Sequence, residues 1–329
     1  MALTVDLGVA ELAATRFAIS PLSETVSSLQ QLGASERQAV NLRWLRWAAD
    51  ELARDPLGLS HTWPLIVSDR PSWPGFLVPA PVDTGGSIDD DLAALQRTTA
   101  RQVRASLRRV FGDELPDAVA GLAARPAAGL RAIAAELRAA HDRLIAPHWS
   151  RIRAVLDADV TYRARQLAAG GAERLFSDLH PDLRWCDGRL RLEEMRSRTE
   201  LVVNRGPGGL VLIPVVLGSG HVLIKKRTTT QTTVRYPARG VGTLWTAGTQ
   251  APAASAVRLL GRARAELLEA LRSPATTTDL ARALGVTPSA VSQHLGVLRD
   301  SGLVARERSG RTVLYMTTAL GASLSGTSP

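Results

Sequence analysis

The sequence predicts an α+β protein in two parts: a long mixed α/β N-terminal domain and a smaller C-terminal domain of helices closed by a hairpin. Three observations predict this. Apolar residues recur at helical spacing in some windows and run or alternate as strands do in others. Residues 246–255, TAGTQAPAAS, are small, uncharged and without an apolar period, so they read as a linker between domains at 1–245 and 256–329. All seven tryptophans (44, 47, 63, 73, 149, 185 and 245) precede that break, as expected of two separately built cores.

Composition sets the outer bounds. The 329 residues are 45% hydrophobic, which excludes a disordered chain. One cysteine, Cys186, excludes an internal disulfide framework and any zinc site with two or more cysteines, and it fits a reducing cytoplasm. The N-terminus lacks the basic and then apolar pattern of a secretory signal. No uncharged apolar stretch approaches the ~18 residues of a membrane span. The net charge of +9 fits a polyanionic partner, nucleic acid first. All but two of the 40 basic residues are arginine, through codon bias or through selection for phosphate contacts. Residues 253–329 hold nine arginines against five acids, more than twice the basic excess per residue of the remainder.

In chain order, Leu3 to Leu7 is a candidate strand, and Pro21 to Leu32 and Glu36 to Ala53 are candidate helices. Five prolines between 63 and 86 exclude a single regular element there. Asp89 to Phe111 predicts one helix, with Leu92, Leu95, Val103 and Leu107 on a repeating face. Further helices are predicted over Pro126 to Leu137 and Arg138 to Ala168, with Pro147 as a breaker. Strands follow at Leu183 to Trp185 and Leu190 to Leu192, turning at Asp187-Gly188. Gly209 to Leu217 is predicted to turn at Gly218-Ser219-Gly220 into a hairpin with His221 to Arg227, with a further strand near Val234 to Tyr236.

The C-terminal part is the informative one. Val257, Leu260, Leu267 and Leu271 predict a first helix. Asp279 to Leu284 forms a second, stopped by Gly285, a residue free to adopt the left-handed conformation. Val286 fills the turn. Thr287 is a suitable N-cap and Pro288 a suitable first residue for a third helix ending at Gly302, with Val291, Leu295 and Leu298 as its inner stripe. Leu303 to Arg308 and Arg311 to Met316 then make a hairpin. Helix, helix, turn, helix, hairpin is a winged helix-turn-helix.

Geometry assigns roles on that fold. Opposite the apolar stripe lie Ser289, Gln293 and Gly296, with Ser292, His294 and Arg299 on the flanks. Gln293 can pair bidentately with adenine and Ser289 can bond several bases. Gly296 lets the helix sit deep. Ser292 and His294 suit phosphates, and Arg306, Arg308 and Arg311 on the hairpin suit a flanking backbone or minor groove. The alternative is an ordinary solvated surface, since the same fold also serves as a protein–protein adaptor.

The string Thr287-Pro288-Ser289-Ala290-Val291-Ser292-Gln293-His294-Leu295, continued by Gly296-Val297-Leu298-Arg299-Asp300-Ser301-Gly302-Leu303-Val304, resembles the ArsR/SmtB family of bacterial repressors. The Arg306-x-Arg308-x-Gly310-Arg311 wing adds to the resemblance, which covers about 65 of the 329 residues. It implies a transcriptional regulator, usually dimeric, that binds double-stranded operator DNA and leaves it when an effector binds. Pro237 to Trp245 also looks similar to an uncharacterised N-terminal extension of some members. Two departures stand out. The family's metal sensors carry cysteines in the helix matching Thr278 to Leu284, or His and acidic residues in a terminal helix; neither is present, so no metal and no cofactor is expected. The tail after Met316 is too short for the helix that pairs family subunits, so a dimer would use the N-terminal domain or the first C-terminal helix.

The N-terminal domain is left two readings. Its tryptophans and the Pro-rich segment from Trp63 to Pro81 either form core or line an apolar pocket for an unknown small-molecule effector. An enzyme fused to a DNA-binding domain would need a catalytic constellation, and none is evident: there is no G-x-S-x-G, no P-loop and no H-E-x-x-H. His141 and His148, the acidic run Asp89-Asp90-Asp91 and Cys186 each have an ordinary structural explanation beside a metal or redox one. The expectation is a cytoplasmic, homodimeric DNA-binding repressor that is not an enzyme.

Overall fold

A computed structural model of the chain describes residues 3–33, 38–67, 73–186, 188–192, 201–203, 209–225, 231–244, 254–271, 274–309 and 312–324. It forms two compact units. One comprises residues 1–36 and 52–239, the other residues 37–51 and 240–329.

The chain opens with β1 (Leu3–Asp6), α1 (Val9–Ala13), β2 (Arg16–Phe17) and α2 (Pro21–Gly33). Helices follow: α3 (Leu42–Arg54), α4 (Trp63–Ile66), α5 (Ile88–Gln96), α6 (Ala100–Phe111), α7 (Asp117–Ala124), α8 (Pro126–Ala140) and α9 (Trp149–Ser177). The helix expected over Asp89 to Phe111 is two. The first ends at Gln96, and Thr99 caps the second, its hydroxyl accepting from the Gln102 amide while the Gln102 side chain accepts from the Thr99 amide. Helix α7 was not anticipated. Between α8 and α9 the backbone widens to a π turn over His141–Ile145 and tightens to a 3-10 turn over Ala146–His148, where Pro147 stands.

Two four-stranded sheets complete this unit. They use β3 (Leu183–Cys186), β4 (Arg189–Leu192), β5 (Leu201–Val203), β6 (Leu210–Val215), β7 (Leu223–Lys225) and β8 (Thr232–Pro237). One sheet has the order β3-β4-β1-β5, the other β2-β6-β8-β7. The predicted hairpin between β6 and β7 is corrected here. Strand β8 lies between them, parallel to β6 and antiparallel to β7. The reason is burial. Leu210 and Leu212 of β6 enter one apolar cluster with Leu190, Phe176 and Tyr236, while Val211, Ile213 and Val215 enter another with Ala18 and Ala80. A strand buried on both faces is stabilised by paired neighbours on both edges, here β2 and β8.

Helix α2 packs against α5, α8 and β6 and is buried from Pro21 to Leu29 despite its serines and threonines. These side chains bond back along their own helix: Thr25 to the Pro21 carbonyl at 2.9 Å, Ser27 to Ser23 at 2.6 Å and Ser28 to Thr25 at 2.7 Å. Such back-bonding leaves few unmet donors in an apolar setting. Cys186 is exposed at the end of β3.

The second unit includes α10 (Val241–Leu244), α11 (Ala254–Leu260), α12 (Arg262–Ala270), α13 (Thr277–Leu284), α14 (Pro288–Asp300), β9 (Val304–Ser309), β10 (Thr312–Thr317) and α15 (Ala319–Leu324). It also takes in residues 37–51, hence most of α3. The linker read at 246–255 lies outside the described residues except for Ala254 and Ser255, which open α11. The single helix expected from Val257 to Leu271 is broken at Gly261, whose φ of +79° only glycine adopts at little cost. One cluster joins Leu267, Leu271, Leu280, Val291, Leu295, Leu298 and Val304.

Candidate nucleic-acid interface

Each boundary of the helix-turn-helix has a local cause. Thr276 starts α13, accepting from the Asp279 amide at 3.1 Å. Gly285 ends it in the left-handed conformation at φ +67°, and the Val286 amide bonds the Ala281 carbonyl at 3.0 Å. Thr287 caps α14 by accepting from the Ala290 amide at 3.3 Å, with Pro288 as first residue. Gly302 (φ +71°) stops α14: its amide bonds Arg299 at 2.9 Å and the Leu303 amide bonds Leu298 at 2.9 Å, a complete Schellman closure.

The hairpin of β9 and β10 pairs Val304 with Thr317 through Ser309 with Thr312. A third extended segment, missed in the sequence, joins it. The amides of Ala275 and Tyr315 exchange bonds at 3.0 and 2.9 Å, tying the approach to α13 onto β10. Thr317 and Thr318 bond the carbonyls of Leu271 and Gly302, each at 2.7 Å, fixing the hairpin root to the ends of α12 and α14. The short helix α15, also unanticipated, packs Leu324 on the same core.

On this scaffold the predicted residues separate cleanly. Val291, Leu295 and Leu298 are buried, whereas Ser289, Ser292, Gln293 and Arg299 are exposed and His294 is half-buried. Gly296 lies in open space, with no atom within 4 Å of where a Cβ would stand. Val297, one turn beyond Gln293, is an exposed apolar side chain that polarity-based reading passed over; the helical spacing alone would have found it. Val286, expected to fill the turn, is exposed instead. Arg299 pairs with its neighbour Asp300 at 2.8 Å, which raises it above its ordinary value. Arg306 is exposed in register with Tyr315, and Arg308 stands opposite Val313. The side chain of Arg308 and the whole of Arg311 lie outside the described residues.

Among the described residues no group of three or more His, Cys, Asp or Glu side chains is placed to hold a metal ion. No described helix is long and apolar enough to cross a membrane.

Comparison with known proteins adds an independent line. Residues 262–306 match the bacterial regulatory protein, arsR family. Residues 93–242 match a family of unknown function, DUF5937. A 53-residue stretch is 49% identical to the HTH-type transcriptional regulator NmtR of Mycobacterium tuberculosis, covering 16% of this chain and 44% of that protein. No solved structure matches the chain. The C-terminal unit therefore carries an ArsR-family helix-turn-helix domain, joined to an N-terminal region of a separate family whose function is unknown.

Proposed function

We propose that this chain is a DNA-binding transcriptional regulator that places α14 in the major groove of an operator. The observation that carries the reading is the two-sided character of α14: one apolar stripe is buried, and the opposite side presents Ser289, Gln293 and Val297 around an unobstructed Gly296. Gln293 suits an adenine edge, Ser289 several bases and Val297 a thymine methyl. Ser292 and His294 flank that side toward the phosphates, and Arg299 does so once released from Asp300. Arg306, Arg308 and Arg311 serve the flanking backbone or minor groove. The regulator is a cytoplasmic homodimer and a repressor, without the family-type metal site, since α13 carries no thiol.

Binding of the purified protein to its own upstream DNA, against scrambled duplex at two salt concentrations, tests this. Strong preference for the upstream DNA is expected. Absence of binding at low salt would move the assignment to a protein–protein adaptor. Gln293→Ala is expected to cost about 1–3 kcal/mol of discrimination at one base position while non-specific binding persists. An equal loss of both would show that Gln293 reads no base. Replacing Arg306, Arg308 and Arg311 together by alanine is expected to make the salt dependence shallower by up to about three units. An unchanged slope would remove the wing from the interface.

A further inference from the structure

We propose that the outer face of α6, in the N-terminal unit, is a second surface for duplex DNA, one that grips phosphates without reading bases. This role rests on the reading of the chain as a DNA-binding regulator.

Charge points to the partner. Helix α6 holds four arginines, Arg101, Arg104, Arg108 and Arg109, and no acid. Every other described helix with two or more arginines, namely α3, α8, α9 and α12, also carries acids. Codon bias raises arginine in all of them alike and does not strip one helix of acids. Arg101, Arg104 and Arg108 follow at steps of three and four residues, which sets them within about 60° of one another around the axis. Like charges at those steps repel, so the stripe works against the helix that bears it. All three are exposed, and none forms an ion pair among the described residues. Asp113 and Glu114 lie beyond the turn at Gly112 and pair with none of them.

Packing holds this face outward. Val103, Leu107 and Phe111 are buried, and Ser106 Oγ accepts from the Gly75 amide at 2.8 Å. Arg104 Nε donates to the Ala123 carbonyl at 3.0 Å, and its two Nη groups have no partner among the described residues. A guanidinium steadied at Nε and open at its fork suits a phosphate. From Arg101 to Arg108 the helix rises about 10 Å. One strand of B-form DNA carries about three phosphates over that length. The exposed positions of α6 are arginine and alanine alone. A helix lying in a lipid surface adds Trp, Phe or Leu to its basic residues, and this face has none.

The test uses the full chain with upstream and scrambled duplex over a series of salt concentrations. Replacing Arg101, Arg104 and Arg108 together by glutamine is expected to make log K against log salt shallower by about two to three units on both duplexes. Preference for the upstream DNA is expected to persist unchanged, since phosphate contacts carry no sequence. Lysine at the same three positions is expected to keep a slope close to that of the unaltered chain. Arg131→Gln, Arg165→Gln and Arg174→Gln, exposed on α8 and α9, remove the same charge together and are expected to leave the slope in place. If the unaltered chain binds DNA and the α6 glutamine variant keeps its slope, this proposal alone is overturned; loss of binding to phosphatidylserine vesicles in that variant would then make the partner a lipid surface. An equal change in the α8 and α9 variant would show an effect of net charge only, and a lost slope in the lysine variant would show an effect of the fold; either overturns the proposal. No binding by the unaltered chain at low salt would overturn it together with the reading on which it rests.

Discussion

Glu24→Ala is expected to destabilise the N-terminal unit by several kcal/mol, about 1–3 for each of the two buried amides it leaves without an acceptor. The carboxylate is 1% exposed and holds the amides of Val216 and Leu217 just after β6. Burial pushes it up to about 7, although those two bonds and Arg235 act in the other direction. Alanine would leave two amides without acceptors and Arg235 without its counter-charge. Urea titration followed by tryptophan fluorescence measures the loss. The pH dependence carries its own sign. The native state binds this proton more tightly than the unfolded chain does, so stability is greatest below about 4.5 and falls as pH rises to about 7, by roughly 3 kcal/mol. Asp91, pushed up to about 6 mainly by burial, acts in the same sense over a lower range. Glu24→Gln is expected to flatten the fall between pH 4.5 and 7. Equal slopes in the two proteins would refute an ionisable Glu24 in the folded state.

Gly209→Ala is expected to cost at least about 4 kcal/mol, at the upper end of single substitutions. Gly209 precedes β6 at φ +71°, and a Cβ there would stand 2.5 Å from the Ala14 carbonyl carbon and 2.5 Å from the Glu11 oxygen. Both are backbone atoms and cannot turn aside. Gly112→Ala separates the two causes. Gly112 has φ +89° and ψ −168° but nothing within 4 Å, so only conformational strain applies, about 1–3 kcal/mol. Urea midpoints that moved equally in both variants would mean that the close approach of Ala14 carries no energy.

Local chemistry was legible and long-range pairing was not. Thr287, Pro288, Gly285 and Gly302 declare their roles through neighbours in sequence, so the helix-turn-helix and the exposed side of α14 followed from spacing. The breaks before Thr99 and at Gly261, inside helices expected to be continuous, were missed because a cap acts through side-chain geometry and a single glycine is compatible with a helix pattern. Strand β8 entering between β6 and β7 depends on which faces the rest of the unit buries. Adjacency in sequence favoured the simpler hairpin. Helix α2 is polar yet buried, because its serines and threonines bond their own carbonyls.

The strand partners of the N-terminal unit have a consequence for the order in which the chain is made. Leu3 pairs with Leu192 and Leu201, and Arg16 pairs with Val211, which in turn pairs with Thr233. Neither sheet closes until nearly the whole unit has left the ribosome. At about 5–20 residues per second the first strands wait on the order of 10–40 s for their partners. During that interval the helices from α5 to α8, which pack on one another, are the structure available to hold the nascent chain compact. The unpaired edges of β1 and β2 are then the segments a chaperone would shield.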